Sequence, residues 1–384
     1  MQTNVLIVGA GPAGTVCGIQ LRKLGVDCII IDKSDFPRQK LCAGLLTLKA
    51  KSVLRTLLGD EFYDKCIGQC ARNYATDLSL WHKDTLQVTI QPQRAITLID
   101  RADFDNFLVS HYVHLGGKLL TGKAVDEVNL EKNIISLSSG EIIQFQTLIA
   151  ADGANSTVEK ILSRHYKDFQ AKKKNALCLE INVARNDLDI QGVNVFFGIV
   201  PKSYAWAFSK GDSICVGLIQ HADASIRAHQ VMLDFCHQLR VKNIDKYPLR
   251  GAMLPINNCR KRLSYRNVYF VGDASGLVDP LTGEGIYFAL QGGVYLADSL
   301  QRKNPANDYQ MSTQLLRSLI RKSSFLQKLI SYKSVERYFL RNLKKHPEYV
   351  KYYYDTQIEN ISLESLWGTI MHYRLQKIEK RNEL

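Results

Sequence analysis

Six residues near the start of the chain, Gly9-Ala10-Gly11-Pro12-Ala13-Gly14, restrict its fold more than any other feature. They follow a short apolar run at 4–8 and open a stretch of helical apolar spacing, 12–24, that stops at Gly25. A second apolar run, 28–31, ends at Asp32. Strand, glycine turn, helix and strand in that order predict a right-handed crossover between parallel strands. Gly9 permits the tight turn, Gly11 lets the backbone approach a diphosphate, and Gly14 lets the helix pack closely on the strand. The helix start offers unpaired N–H groups and the positive end of its dipole to phosphate oxygens. Asp32 stands where a carboxylate accepts ribose hydroxyls and repels a 2′-phosphate, so FAD or NAD is the expected ligand.

Composition narrows the setting. The chain has 384 residues, 46% apolar and 23% charged, which is ample for a buried core without disulfides or metals. At about 150 residues per domain it divides into two or three domains. Its nine cysteines stand at 17, 28, 42, 66, 70, 178, 215, 236 and 259, with no CxxC pair and no zinc-finger spacing. An odd count with no secretory leader predicts free thiols in a reducing cytoplasm. No apolar run reaches the roughly 18 residues of a spanning helix. Composition thus argues against a secreted disulfide scaffold, a disordered chain and an integral membrane protein. The net charge is +13, and residues 301–384 hold 16 Lys and Arg against 8 Asp and Glu. That surplus suits peripheral contact with the inner face of a membrane, or it is a solvated helical face. No helix-turn-helix, zinc or RNP signature points to nucleic acid.

Residues 33–44 read as a loop, 45–58 as a helix, 85–90 as a strand and 100–114 as a helix capped near Asp100. Residues 118–120, 124–130, 134–138 and 141–145 read as short strands of a meander, and 146–151 as a buried strand ending at Asp152. Residues 176–184, 192–199, 203–209 and 213–220 read as strands, 225–240 as a helix, 268–271 as a strand and 283–300 as a helix. Beyond 304 the pattern is purely helical. The expected fold class is α/β: a Rossmann-like FAD/NAD(P)-binding domain with a parallel sheet, an antiparallel substrate domain and a helical C-terminal region. The expected division is 1–75, 100–175 and 260–303 for the first, 76–99 and 176–259 for the second, and 304–384 for the third.

Three further motifs carry chemistry. Asp100-Arg101-Ala102-Asp103-Phe104-Asp105 is a helix start whose arginine is a candidate for a phosphate or for a salt bridge. Asp152-Gly153 closes a strand at the carboxyl edge of the sheet, which faces the ligand crevice. Gly272-Asp273-Ala274-Ser275-Gly276, continuing to Pro280-Leu281-Thr282-Gly283-Glu284-Gly285, is a second glycine turn before a helix. Asp273 can accept hydroxyl hydrogen bonds from a polyol, and amides at Gly283–Gly285 can stabilise negative charge on a ring system.

In this order the four motifs resemble the flavoprotein group typified by para-hydroxybenzoate hydroxylase. The resemblance implies FAD. It places Gly9, Gly11, Gly14, Asp32 and Arg101 around the adenosine and diphosphate, Asp152 and Gly153 beside the diphosphate, Asp273 on the ribityl chain, and Gly283 and Gly285 at the flavin edge. Pro12, Ala13, Lys33, Lys40, Cys42, Ala43, Gly44, Val125, Gly272, Pro280, Glu284 and Ile286 complete the expected cofactor contacts. Two segments narrow the group. Residues 36–44, Phe-Pro-Arg-Gln-Lys-Leu-Cys-Ala-Gly, resemble the PxxKxCGG loop of the geranylgeranyl reductase family, with Ala43 in place of a glycine. Residues 201–211 resemble its YxWxFPK segment, with Ser209 in place of a proline.

On a strand, Tyr204, Trp206 and Phe208 share one face. They form either an apolar wall for a long hydrocarbon or plain sheet core. Cys42 is either a thiol beside the flavin, activated by Arg38 and Lys40, or a small buried hydrophobe. Glu284 stands at a helix start, where a carboxylate is favoured in any case. No HExxH, GxSxG or Cys-rich relay is present. The resemblance implies an FAD-dependent oxidoreductase that reduces C=C bonds of an isoprenoid or similar lipid. A hydride would reach one carbon, and a proton the other, from water, Cys42 or Tyr204, with Trp206 beside them. With one dinucleotide turn visible, the electron donor would be NAD(P)H visiting transiently, or a protein. The alternatives are an aromatic-ring monooxygenase on the same frame and a non-catalytic flavin-binding protein; a halogenase would need a WxWxIP segment that is lacking.

Overall fold

In the computed structural model, which describes residues 1–171, 175–221 and 227–355, the first glycine turn lies at the carboxyl edge of a parallel sheet. β1 (Gln2–Val8) pairs in parallel with β2 (Cys28–Ile31) on one side and with the strand Ile142–Ala150 on the other. Helix α1 (Pro12–Lys23) makes the crossover. Lys118–Leu120 extends the parallel order beyond β2, and Val268–Phe270 extends it beyond Ile142–Ala150. Side chains alternate between two cores. Ile7, Ile30 and Ile149 pack on one face against α1 and the helices Leu48–Leu58, Asp60–Cys70, Arg101–His114 and Ile286–Ser299. Leu6, Ile29 and Leu148 pack on the other against the hairpin Val125–Asn129/Ile134–Leu137 and the helix Thr157–His165. Cover on both faces explains why β2 is apolar without alternation.

The second sheet has seven strands, ordered Arg250–Leu254, Ala176–Ala184, Ser213–Gln220, Tyr204–Ser209, Val193–Phe197, Leu78–His82 and Thr85–Ile90. It is antiparallel except for one parallel pair, Val193–Phe197 with Leu78–His82. A small sheet of Leu45–Leu46, Ile96–Ile99 and Ala71–Ala75 bridges towards the first.

Several expected boundaries move. The segments 141–145 and 146–151 are one strand, Ile142–Ala150, whose outer half alternates exposed and buried residues and whose inner half is continuously buried. That change of pattern makes it read as two. Residues 118–120 join the parallel sheet as an edge, not a meander. The helices expected from 45 and 283 begin at Leu48 and Ile286: Leu45–Leu46 is a short strand of the small sheet with Thr47 capping the helix, and residues 283–285 belong to the loop before the second helix. The helix expected over 225–240 spans Ala228–Gln238, with 225 and 226 outside the described residues.

The chain then continues through helices Pro305–Ser312, Gln314–Ile330, Lys333–Lys345 and Pro347–Asp355; residues 356–384 of the expected helical region lie outside the described residues. Tyr309 is fully buried and its hydroxyl donates to the Phe270 carbonyl at 3.1 Å, fastening this region to the parallel sheet. Leu343 and Val350 pack on Leu80, Val88 and Ile90 of the second sheet. Among the described residues no helix is long and apolar enough to cross a membrane.

Candidate cofactor and substrate site

Gly9 has φ +106°, and a Cβ there would lie 2.4 Å from the Ala151 carbonyl oxygen. At Gly14 a Cβ would meet the Gly9 oxygen at 2.0 Å and Ala151 Cβ at 3.0 Å. The turn is therefore sealed against the end of the central strand. Gly11 differs: a Cβ there would meet only the tip of Arg38, at 3.5 Å. Gly11 is also the residue from which α1 starts, where no side chain caps the helix and no acid occupies the first turn. An open turn with free N–H groups and a guanidinium beside it fits a diphosphate. Pro12 fits the first helical position, which needs no N–H, and Ala13 is buried. Asp32 Oδ2 accepts from the Ala10 N–H at 2.8 Å and Oδ1 from the Ser34 N–H at 2.9 Å. Its position is fixed, and each oxygen keeps a lone pair for a ribose hydroxyl. Lys33 is exposed. Val125 is half-buried on the hairpin that follows Lys123, whose N–H donates to the Asp32 carbonyl at 2.9 Å. The residues present thus fit FAD at its adenosine and diphosphate end.

Two expected contacts are redirected. Arg101 is buried and makes a two-pronged pair with Asp105 at 2.8 Å on both arms, and Asp105 also holds Arg38 at 3.2 Å. Arg38, not Arg101, is the guanidinium over the glycine turn. The signal available in the sequence is the i, i+4 spacing of Arg101 and Asp105. Asp152 Oδ2 accepts from the N–H groups of Thr157 and Val158 at 2.7 and 3.1 Å. It caps the helix Thr157–His165 instead of bracing the diphosphate, while Gly153, at φ +84°, makes the turn.

The second glycine turn stacks on the first. A Cβ at Gly272, φ +60°, would lie 2.7 Å from Ala13 Cβ. Asp273 is half-buried, with Oδ1 facing Gly285. Asp279 organises the loop beyond: Oδ1 accepts from the N–H groups of Leu281 and Thr282, both at 2.9 Å, and Oδ2 from the Ser323 hydroxyl at 2.6 Å. The Gln327 amide donates to the buried Pro280 carbonyl at 2.7 Å. Ser323 and Gln327 belong to the helix Gln314–Ile330, so the C-terminal region holds the loop. Gly283 donates its N–H to the Asp279 carbonyl at 2.9 Å, which removes it from the donors expected at the flavin edge. The donors left are the N–H of Gly285 and those of the first turn from Ile286, a helix whose start at Gly285 has no side-chain cap. Glu284 is turned away from chemistry: Thr47 donates to it at 2.5 Å and Lys49 pairs with it at 3.0 Å.

Tyr204 is half-buried, donates its hydroxyl to the Thr282 carbonyl, and lies where a Cβ on Gly283 would strike its oxygen. Burial, with Cys178, Asp279 and Cys42 nearby, pushes its phenol up. Its proton is thus committed to holding the loop. Trp206 and Phe208 are corrected: they are 4% and 6% exposed, so they form packed support, not an open wall. The register explains it. Trp206 faces Gly217 on the next strand and fills the space a side chain would take, and its indole donates to Cys215 Sγ at 3.4 Å. Cys42 is half-buried and its Sγ accepts from the Gly44 N–H at 3.3 Å. The Lys210 ammonium donates to the Cys42 carbonyl at 3.2 Å, and Gly44, φ +79°, abuts the Ile99 carbonyl and Lys210. Ala43 and Leu41 join an apolar cluster with Cys178, Ile219, Leu254, Val278 and Tyr204.

Sequence reasoning also misses Glu180, buried on the second sheet with Oε2 unpartnered. Burial raises its carboxyl against the opposing pull of Lys210, Cys215, Asn182 and Arg250. A carboxyl whose folded pKa is raised binds its proton more tightly when folded. Its contribution to stability is full below the unfolded value and is lost as pH rises through the folded one. The unfolding free energy should fall on the alkaline side of the ordinary value of 4.5, by at most about 1.4 kcal/mol per pH unit, as read from urea midpoints. Glu180→Gln should remove that slope; an unchanged profile across the window would overturn the assignment.

Over residues 2–303 the chain matches the family described as FAD binding domain. It is 27% identical over 351 residues to a digeranylgeranylglycerophospholipid reductase of Methanococcus vannielii, covering 86% of each protein. A geranylgeranyl bacteriochlorophyll reductase-like protein of Thermoplasma acidophilum superposes with a TM-score of 0.74 at 18% identity, over 100% of this chain and 99% of that one. The p-nitrophenol 4-monooxygenase of Pseudomonas putida superposes with a TM-score of 0.71 at 15% identity, over 97% and 98%. At those identities the structural likeness is one of fold.

Proposed function

The chain belongs to the FAD binding domain family, and from that premise we propose that it is an FAD-dependent oxidoreductase that reduces C=C bonds of an isoprenoid or similar lipid. The observation that carries this reading is the set of partly buried apolar side chains Leu41, Ala43, Leu45 and Leu254, packed on the core residues Cys178, Ile219 and Val278, which joins the second sheet to the loops that would border the cofactor. A greasy face there aligns a flexible hydrocarbon and excludes water. Gly11 with the start of α1, Asp32 and Arg38 would hold the adenosine and diphosphate, Asp273 the ribityl chain, and the Ile286 helix start the electron-rich edge of the ring. Bound FAD supplies the two-electron reduction. The protein orients the alkene, keeps the site dry, and fixes the 280–285 loop through Asp279, Ser323, Gln327 and Tyr204. Cys42 is the candidate for passing a proton, since the Tyr204 hydroxyl is engaged. The electron donor in this reading is NAD(P)H in transient contact, or a protein.

The test is anaerobic turnover of the flavin-loaded protein with polyprenyl and aromatic substrates, followed by mass analysis. A gain of two hydrogens without oxygen is expected. A gain of one oxygen atom, seen only in air, would transfer the chain to the monooxygenases, whose fold it shares.

The C-terminal helices support contact with a membrane surface. Arg321, Phe325 and Lys328 follow helical spacing on Gln314–Ile330 and are exposed, Phe325 at 62%, and Tyr332, 65% exposed, lies just past the end of that helix. Two cations and an aromatic ring on one helix face, with a second ring at the helix end, suit an anionic lipid interface. Cosedimentation with anionic vesicles that fades with salt is expected. Equal recovery with neutral vesicles would remove the electrostatic part of the reading.

A further inference from the structure

Beside the cradle for the cofactor lies a polar cavity whose charged residues the proposed reaction leaves unused; Cys42 alone is shared with it. It is lined from the loop side by Lys40 and Cys42, from the helix Arg101–His114 by Arg101, and from the second sheet by Glu180, Lys210 and Arg250. No residue of either glycine turn, nor Asp32, Asp273 or the 280–285 loop, lines it. Its charges do not cancel. Arg101 is taken by Asp105, Arg72 at the rim pairs with Asp103, and Asp100 is taken by the N–H groups of Ala102 and Asp103. Lys40, Lys210 and Arg250 remain. Lys210 donates only to the Cys42 carbonyl, and none of the three forms an ion pair among the described residues. The acid that faces them, Glu180, is buried with Oε2 unpartnered, and burial favours its neutral form.

Three cations around a partly enclosed space repel one another unless an anion joins them. The geometry also gives the direction of the ligand. Cys178 and Glu180 lie on one face of their strand, and Leu254, Ala252 and Arg250 share a face of the strand beside it. Along that face the lining changes from the apolar cluster at Cys178 and Leu254 to the charged cavity at Glu180 and Arg250. The surface is amphipathic end to end.

We propose that this cavity is a phosphate-ester site, in which Lys40, Lys210 and Arg250 hold the anionic head of the substrate while its hydrocarbon lies on the apolar face. The assignment of the head to the substrate rests on the isoprenoid reading above. Ammonium and guanidinium groups donate to phosphate oxygens in charge-assisted bonds, the guanidinium in a two-pronged fork. A neutral Glu180 would donate its O–H to a phosphate oxygen and use the one polar atom left unpaired.

The test uses the FAD-loaded protein and calorimetric titration with inorganic pyrophosphate, geranylgeranyl phosphate, geranylgeraniol and NADPH. Arg250 lies exposed on an edge strand and Lys40 on a loop, so Arg250→Met and Lys40→Met should fold. Each should weaken pyrophosphate about tenfold or more and lower the preference for geranylgeranyl phosphate over geranylgeraniol by a similar factor. Lys65→Met, an exposed cation on the helix Asp60–Cys70, should change neither. If NADPH affinity falls and the phosphate-to-alcohol ratio holds, the assignment to the substrate head is overturned and the dinucleotide is the ligand. If either pocket variant loses flavin, or pyrophosphate binds both as tightly as wild type, the site is overturned. If pyrophosphate binding responds as expected while no polyprenyl compound binds, the reductase reading fails and the phosphate site stands.

Discussion

A Gly9→Ala protein is expected to purify without flavin and to unfold well below the wild type. The residue sits at φ +106°, where an L side chain costs about 1–2 kcal/mol. Its new Cβ would lie 2.4 Å from the Ala151 carbonyl oxygen and 2.9 Å from the Asp152 nitrogen, both rigid backbone atoms. Overpacking of that kind adds roughly 1–3 kcal/mol. Relief requires β1 and the strand Ile142–Ala150 to part at their carboxyl ends, and that opening displaces the amides that would face the diphosphate. Gly140→Ala is the matched control. It shares a positive φ, +83°, but has no atom within 4 Å of the new Cβ, so it should lose about 1 kcal/mol and keep its flavin. Flavin absorbance per mole of protein and urea midpoints measure both. A yellow Gly9→Ala protein with a wild-type midpoint would remove the glycine turn from the site.

The contrast between these glycines shows what a sequence can disclose. The turn at Gly9–Gly14, the acid at Asp32 and the cap at Asp100 are local, with donors and acceptors a few residues apart or one crossover away. Their patterns survive in one dimension. The loop at 280–285 is legible only in its near half: Asp279 bonding the amides of Leu281 and Thr282 is a short-range turn. Its other anchor, Ser323, lies on a helix whose docking no local pattern announces. The helix Asp60–Cys70 is a different failure. Tyr63, Cys66, Ile67 and Cys70 have ideal helical spacing and are buried, but the stripe is visible only when cysteine is counted as an apolar residue. For Trp206, alternation gives its face but not what covers it. The register opposite Gly217 makes it interior. Glu180 is obscured for the reverse reason, because a lone acid within a β-strand looks like the solvent side of the alternation.

Asp105→Ala should be the most destabilising single substitution of a charged residue among those packed around the parallel sheet. Its carboxylate is fully enclosed and serves two guanidinium groups, with Arg101 9% and Arg38 15% exposed at their side chains. Removing the acid leaves Arg101 buried without a counter-charge, which costs about 3–5 kcal/mol. Arg38, freed from Asp105, would lose its fixed place over Gly11, so flavin affinity should fall as well. Asp105→Asn keeps the shape and one acceptor and should lie between alanine and wild type. The decisive variant is the double replacement Arg101→Met with Asp105→Leu, which removes both charges together. Well-packed apolar replacements of a buried pair are often neutral in stability, so the double variant should recover most of the midpoint lost by Asp105→Ala while still holding flavin poorly. That separation follows from the two jobs of Asp105: it neutralises Arg101 inside the helix packing, and it aims Arg38 at the glycine turn. Urea midpoints and flavin titration of these proteins, and of the single variants Arg101→Met and Asp105→Leu, form the measurement. Strict additivity of Arg101→Met and Asp105→Leu would show that the pair is not coupled, and full flavin affinity in Asp105→Ala would show that Arg38 is not placed by it.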